Sequence, residues 1–156
     1  MKTLIRLLTA VMLSTPVLAA DPADFRLWKA AELKQREAAL SKTVGADHSS
    51  RETLGEYKSH RFRQLYRDAD GFPEQHDNII DVVIVQSGEG TLVLGGKMLN
   101  PKSTRPGESI GTSLEGGELH PIAAGDIVHI PAKIPHNFRV PKGKHLTYVL
   151  VKFPAE

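Results

Sequence analysis

The stretch that best indicates the fold is Gly125-Asp126-Ile127-Val128-His129-Ile130-Pro131-Ala132, which Pro135-His136 follows after two more residues. Glycine and aspartate are common turn formers, and the apolar, β-branched run from Ile127 to Ile130 is typical of a short strand. The two prolines predict a turn before His136, because proline cannot donate a hydrogen bond to a sheet. A turn, a strand and a second turn in quick succession indicate an antiparallel sheet.

The chain on both sides of this stretch has the same punctuated pattern. Gly88-Glu89-Gly90 predicts a tight turn, and Lys97 to Gly117, rich in Gly, Pro, Ser and Thr, predicts a long loop or a pair of short strands at a rim. Further strands are predicted over His60–Arg67, Ile79–Gln86, Thr91–Leu94, Leu119–Ala123, His136–Val140 and Leu146–Phe153. Many short strands without alternating helices predict an all-β antiparallel sandwich or barrel.

A second stretch carries polar residues at regular spacing. Glu74-Gln75-His76 is followed after four residues by Asp81 and after six more by Gly88. Together the two stretches resemble the paired motifs of the cupin superfamily, His-x-His…Glu…Gly and Gly…Pro-x-Gly…His…Asn. The resemblance covers about residues 60–153. It implies a cupin-type antiparallel β-barrel, or jelly roll, and the residues before it predict one N-terminal α-helix.

The resemblance also implies a metal site, although the motif residues are partly altered. Lys133 stands in place of the second motif's glycine, and Val140 in place of its asparagine. The first ligand histidine is replaced by glutamate, and the ligand glutamate by aspartate. Carried over by position, the four ligand positions fall on Glu74, His76, Asp81 and His136.

This ligand set makes chemical sense for a divalent metal ion. Two imidazoles and one carboxylate form a facial triad with open positions, which suits iron and also accepts manganese, nickel or zinc. Glu74 would add oxygen and favour harder ions such as manganese or iron. The alternative is a barrel without metal, in which His76 and His136 form hydrogen bonds in a pocket and Asp81 orients a histidine.

One of two carboxylates, and one tyrosine, are candidates for a catalytic role. Glu74 or Asp81, whichever is not bound to metal, can act as a general base if burial raises its pKa. By the alternation of the last strand, Tyr148 is a candidate acid or substrate clamp, or else a core tyrosine with its hydroxyl satisfied. His120 and His129 are either additional pocket residues or solvated strand histidines.

The N-terminus carries the features of an export signal. Lys2 and Arg6 precede a short apolar run that ends at Ala19-Ala20. This pattern predicts a secretory signal peptide over 1–19, cleaved after Ala19 or Ala20, and therefore a periplasmic or extracellular protein. No later segment is long and apolar enough to span a bilayer.

The remaining chain divides into a helical segment over 20–59 and a barrel over 60–156. Asp21 as N-cap and Pro22 at the first helical position predict a helix from Asp21 to Lys42 that packs on the outside of the sheet. Its helix-forming composition supports this interpretation.

Composition narrows the function further. The 156 residues contain no cysteine, which excludes disulfides, thiolate metal sites and cysteine nucleophiles. The 20 basic and 18 acidic residues are too balanced for a nucleic-acid partner. We therefore expect an exported, metal-dependent barrel acting on or binding a small molecule. The alternative is a metal-free, non-catalytic module for a sugar or organic acid. The resemblance implies a homodimer.

Overall fold

The structure is a computed structural model that describes residues 21–156, so the predicted signal peptide over 1–19 lies outside the described residues. In this part of the chain a single helix precedes a series of strands. They are α1 (Ala30–Leu40), β1 (Ser49–Glu56), β2 (Arg61–Arg67), β3 (Glu74–His76), β4 (Ile79–Leu94), β5 (Lys97–Leu99), β6 (Lys102–Arg105), β7 (Glu108–Ile110), β8 (Ser113–Glu115), β9 (Glu118–Ala123), β10 (Ile127–Ile130), β11 (His136–Arg139) and β12 (Leu146–Pro154).

The long strand β4 organises the sheet. Its first part pairs with β10 and β12, and its last part pairs with β9 and β11, all antiparallel. Neighbouring strands run in the order β1-β2-β12-β4-β11-β3-β7-β6, while β5 and β8 form a separate pair. Because one strand serves both groups of partners, the sheet curls around an interior. This architecture is a cupin-type antiparallel β-barrel, as the sequence predicted.

The predicted turn at Gly88-Glu89-Gly90 is wrong, because β4 continues through it. Gly88 has a positive φ of 76°. A Cβ at that position would lie 2.0 Å from the backbone carbonyl oxygen of His145. The glycine therefore permits a close approach of two strands within the sheet, and the chain does not reverse there.

Apolar side chains fill one part of the barrel interior, and charged side chains line another. Alternation along β12 places Tyr148 and Leu150 in the core, and the next residue on that face is Lys152. On β2, buried Leu65 lies between Arg63 and Arg67. The core residues are Leu65, Val83, Val85, Leu92, Ile122, Ile130, Phe138, Val140, Leu146, Tyr148 and Leu150. The same inward faces therefore supply both the core and the charged groups of the site.

The helix is shorter than predicted. It begins after Lys29, which makes no side-chain cap, and Pro22 instead forms a turn in which Phe25 N donates to Pro22 O at 3.1 Å. As predicted, the helix lies outside the sheet, where Gln64 donates to Leu33 O at 2.8 Å. Across the part of the chain that is described, we find no helix with the length and hydrophobicity of a membrane span.

Candidate metal centre

Two strand pairings place both predicted histidine ligands beside carboxylates. His136 on β11 lies opposite Glu74 on β3, and His76 on β3 lies opposite Glu108 on β7. Glu74 and His76 are two residues apart on one strand and so share a face. The Nε2 atoms of His136 and His76 lie 3.6 and 3.7 Å from the Glu74 carboxylate. Glu74, His76 and His136 each offer a ligand atom, and these atoms lie within 4.8 Å of one another.

Both imidazoles are oriented by a partner at Nδ1. His76 Nδ1 lies 2.5 Å from a Glu108 carboxylate oxygen, and His136 Nδ1 lies 3.1 Å from the carbonyl oxygen of Ile134. Both partners are acceptors, which assigns the proton to Nδ1 and directs the Nε2 lone pair toward the centre. The Nε2 atom of His136 is buried and has no hydrogen-bond partner within residues 21–156. Histidines that bind metals are held in this way.

The fourth predicted ligand, Asp81, is engaged by a lysine. The β4–β12 register places Asp81 opposite Lys152. The Lys152 ammonium donates to both Asp81 carboxylate oxygens, at 2.8 and 2.9 Å, and to His76 Nε2 at 2.8 Å. The side chains of Asp81 and Lys152 are only 2% and 10% exposed. Asp81 also lies 3.4 Å from His76 Nε2 and 3.9 Å from His136 Nε2, so it borders the centre with its charge already neutralised.

The surrounding charges keep both carboxylates ionised. Burial alone would raise the pKa of Glu74, but the nearby His136, Lys152 and His76 hold it well below the ordinary range. Burial likewise opposes ionisation of Asp81, but His76 and Lys152 lower its pKa. Glu74 and Asp81 therefore need lose no proton to bind a metal at neutral pH.

His76 is subject to opposing influences. Burial lowers its pKa, but the close contact with Asp81, at 3.4 Å, and the charges of Glu74 and Asp81 outweigh burial, and the pKa is raised. The Lys152 ammonium opposes protonation. A proton, a metal ion and the ammonium therefore compete for the same Nε2 lone pair.

A cavity of about 520 Å³ borders the centre. Glu74, His76 and Lys152 form part of its wall, and Leu65 and Leu150 add apolar surface. Strands β6 and β7, from the segment predicted as a rim, contribute further lining residues: Thr104, Arg105, Glu108 and Ile110. The volume is in the range of small-molecule sites.

The two catalytic candidates lie in different surroundings. Glu74 faces the centre and the cavity. Tyr148 is buried, stacks on Phe138 at 5.0 Å between ring centroids, and accepts a hydrogen bond from Arg67 Nε at 3.0 Å. Burial raises the pKa of the Tyr148 hydroxyl. Tyr148 therefore supports Arg67 and does not line the cavity.

The other motif positions have clear structural consequences. His120 and His129 are exposed strand residues outside the centre. Lys133, which stands where the motif has glycine, has a φ of 68° and donates its backbone N–H to His76 O at 2.7 Å. This turn holds the strand that carries His76. Val140 belongs to the apolar core.

Sequence reasoning missed Lys152 and Glu108 as site residues. Both lie opposite a predicted ligand on a neighbouring strand. The one available signal was the alternation of β12, which places Lys152 on the face of Tyr148 and Leu150.

The fold is similar to known cupin-type barrels, although no protein-family model and no curated protein matches the chain in sequence. Pac13 from Streptomyces, solved with uridine, is 14% identical with a TM-score of 0.52, covering 72% of this chain and 74% of Pac13. KdgF from Halomonas sp. is 15% identical with a TM-score of 0.51, covering 70% and 82%. A cupin-2 domain protein from Rhodospirillum rubrum is 18% identical with a TM-score of 0.50, covering 68% and 60%. At these identities the similarity confirms the predicted fold.

Proposed function

We propose that this protein is an exported cupin-type barrel that binds a divalent metal ion through Glu74, His76 and His136 and acts on a small molecule in the adjoining cavity. The observation that carries the metal site is the buried Nε2 of His136, which has no hydrogen-bond partner in the described chain and faces a carboxylate and a second imidazole. A buried polar atom left without a partner is costly, and a metal ion would satisfy it.

The donor set fits manganese, iron, nickel or zinc, because two imidazoles and one carboxylate leave positions open for substrate or water. When bound, such an ion supplies Lewis-acid polarisation of a ligand oxygen. The protein's own groups do the rest: Glu108 fixes His76 by accepting from Nδ1, and Lys152 offers an ammonium donor beside the centre.

A small-molecule role is supported by the cavity and by one similar protein. Pac13 is described as a nucleoside dehydratase and is solved with uridine. The same architecture therefore accommodates small polar molecules in that protein, and the cavity of about 520 Å³ in this chain is large enough to do so. Because fold does not determine the reaction, we propose only that the ligand is a small polar molecule.

The alternative, a metal-free binding module, is favoured by one observation. The Lys152 ammonium already contacts Asp81 and the Nε2 of His76, which is the arrangement that a resident cation would otherwise provide. In that case the cavity would bind a sugar or organic acid without catalysis.

Metal content separates these two functions. Protein lacking residues 1–19, purified without an affinity tag, should contain one ion per chain by elemental analysis, because the described residues form one such ligand group. His136→Ala should lose the ion. His129→Ala, which removes an exposed histidine on β10, should retain it. Circular dichroism of both variants checks that they fold.

Two results would overturn the metal site. One is less than about a tenth of an ion per chain with no uptake of added manganese, iron, nickel or zinc, which would leave the metal-free alternative. The other is a full complement of metal in folded His136→Ala. Glu74→Ala then tests whether the substituted ligand position contributes.

We also propose export and a homodimer. Export is supported by the sequence features at Lys2, Arg6 and Ala19, and N-terminal sequencing of protein recovered from the periplasm of a bacterial host should give Ala20 or Asp21. The exposed apolar residues Leu119 and Ile127 are consistent with an interface between copies. Sedimentation of the mature protein tests the dimer.

A further inference from the structure

The cavity beside the candidate metal centre has an excess of positive charge. Two carboxylates face it, those of Glu74 and Glu108. Five cationic side chains face it, namely Arg51, Arg63, Arg67, Arg105 and Lys152. The whole chain, by contrast, is close to neutral, so the excess is local.

Three of these cations have a carboxylate partner within the protein. Arg51 pairs with Asp47 at 2.8 Å, Arg105 with Glu108 at 3.1 Å, and Lys152 with Asp81 at 2.8 Å. Within residues 21–156, neither Arg63 nor Arg67 has a carboxylate oxygen within the 4.0 Å of an ion pair. Two guanidinium groups that line the cavity are therefore without a counter-ion among the residues that the structure describes.

Arg67 is held in place by neutral groups. It is 9% exposed, its Nε donates to the Tyr148 hydroxyl at 3.0 Å, and its guanidinium carbon lies 5.8 Å from the centre of the Phe138 ring. These contacts fix the position of the charge and leave its two terminal amino groups for another acceptor. A guanidinium cannot lose its proton to escape burial, so an anion in the cavity would stabilise it.

Arg63 shows the same deficit of negative charge. It lies four residues, or two pleat repeats, before Arg67 on the same face of β2, opposite Leu150 on β12. Its Nε is buried without a hydrogen-bond partner in the described chain. Burial lowers the pKa of Arg63, and repulsion from Arg61, Arg51 and Arg105 lowers it further. A bound anion would relieve this repulsion at Arg63.

We propose that the ligand of this cavity is a small oxyanion, a carboxylate or a phosphate ester, held by Arg63 and Arg67. This inference rests on the proposed small-molecule function and specifies its ligand class. Guanidinium groups match the planar or tetrahedral oxygens of these anions with two parallel hydrogen bonds. The uncharged part of the ligand would then lie in the remaining cavity, which Glu74 and His76 also line.

Titration of metal-free protein with matched ligands tests the charge requirement. Metal is removed with a chelating resin, because soluble chelators are themselves polycarboxylates, and phosphate buffers are avoided. The probes are malate and citrate, with malamide as the neutral comparison, and glycerol 3-phosphate, with glycerol as the neutral comparison. Thermal unfolding and calorimetry at constant ionic strength should show binding of at least one anion and none of its neutral counterpart. The two arms distinguish carboxylate from phosphate.

A matched pair of variants tests the residues. Arg63→Gln should lower the affinity for the anion that binds by about tenfold or more, since hydrogen bonds to charged groups contribute about 1.5–3 kcal/mol. Arg139→Gln removes the same charge from an exposed position on β11 that does not line the cavity, and should leave affinity unchanged. Arg67→Lys, which keeps the charge but loses the planar group, should also weaken binding.

Three outcomes would overturn the inference. The first is equal binding of neutral and charged probes, and the second is unchanged affinity in folded Arg63→Gln. The third is no binding of any anion at 10 mM, which is about a hundred times a typical metabolite affinity of ~0.1 mM. The test is independent of the metal proposal because it uses metal-free protein. Anion binding with no metal uptake refutes only the metal site. Metal uptake with no anion binding refutes only the ligand class.

Discussion

Replacing Lys152 by methionine removes the ammonium and keeps most of its alkyl stem. The change leaves Asp81, which is 2% exposed, without the two hydrogen bonds of 2.8 and 2.9 Å that neutralise it. It also frees the Nε2 lone pair of His76. The folded variant therefore retains a buried carboxylate with His76 as its nearest remaining charge partner, at 3.4 Å.

The size of the effect follows from this burial. Removing one member of a buried ion pair costs about 3–5 kcal/mol, because the desolvated partner remains without compensation. For a domain of this size, that loss in the free energy of unfolding lowers Tm by roughly 10–20 °C. A divalent ion should restore part of the loss, because it would replace the ammonium as the cation beside Asp81 and His76.

Denaturant unfolding of resin-treated protein, with and without added Mn²⁺, measures both effects. Lys144→Met is the control, because Lys144 pairs with Glu89 at 3.0 Å while both side chains are more than half exposed. Exposed pairs contribute less than about 1 kcal/mol. A loss in Lys152→Met no greater than in the control would refute the argument that Asp81 is buried and paired. Equal stabilisation by Mn²⁺ in wild type and variant would refute competition between ammonium and metal.

Two further predictions concern acid stability and the close approach at Gly88. Metal-free protein should lose stability as the pH falls below about 4, because Glu74 and Asp81 have lowered pKa values in the folded state and ordinary ones in the unfolded state. Denaturant unfolding at a series of pH values measures this loss. A free energy of unfolding that stays constant down to pH 2 would contradict the prediction. Gly88→Ala should cost more stability than Gly125→Ala. Both glycines have positive φ, but only at Gly88 would the new Cβ meet the backbone oxygen of His145, at 2.0 Å. Similar melting temperatures of the two variants would contradict the clash.

Several strands were predictable because their local signals agree with their tertiary role. β10 was predicted with the bounds observed, Ile127–Ile130, because a mostly β-branched run there begins after a glycine-containing turn and ends at a proline. β1, Ser49–Glu56, was not predicted. Its sequence is mostly polar, and its two buried residues, Ser49 and Ser50, are polar as well, so pairing with β2 and not hydrophobic burial determines it.

Gly88 shows how a correct residue-level signal led to a wrong prediction. Glycine with positive φ is common in turns, but here it meets a close approach of His145 within a continuous strand. Local sequence cannot distinguish these two uses, because the second depends on a partner strand more than fifty residues away. The bounds of α1 were misjudged for a related reason: Asp21 and Pro22 are good helix starters, yet the helix begins only after Lys29. The chain just before it packs on the sheet, where Trp28 meets Phe62 of β2 with 4.9 Å between ring centroids.

The centre was partly predictable because its candidate ligands occupy motif positions, whereas their partners do not. Glu74, His76 and His136 were singled out by spacing, and the structure brings them together. Lys152 and Glu108 enter through strand register, which a pattern within one strand does not contain. A shift of either register by one residue would point these side chains to the other face of the sheet.

The charges of the centre and of the cavity are complementary. Lys152 neutralises Asp81, so Glu74 is left as the carboxylate available to a cation between two imidazoles. The two positive charges of a divalent ion there would exceed the single negative charge of Glu74. The adjoining cavity already contains Arg63 and Arg67, which have no carboxylate partner in the described chain. An anionic ligand would offset both excesses at once. Because coupling between two bound species is reciprocal, an anion that binds more tightly to the metal-loaded barrel must also tighten the metal by the same factor.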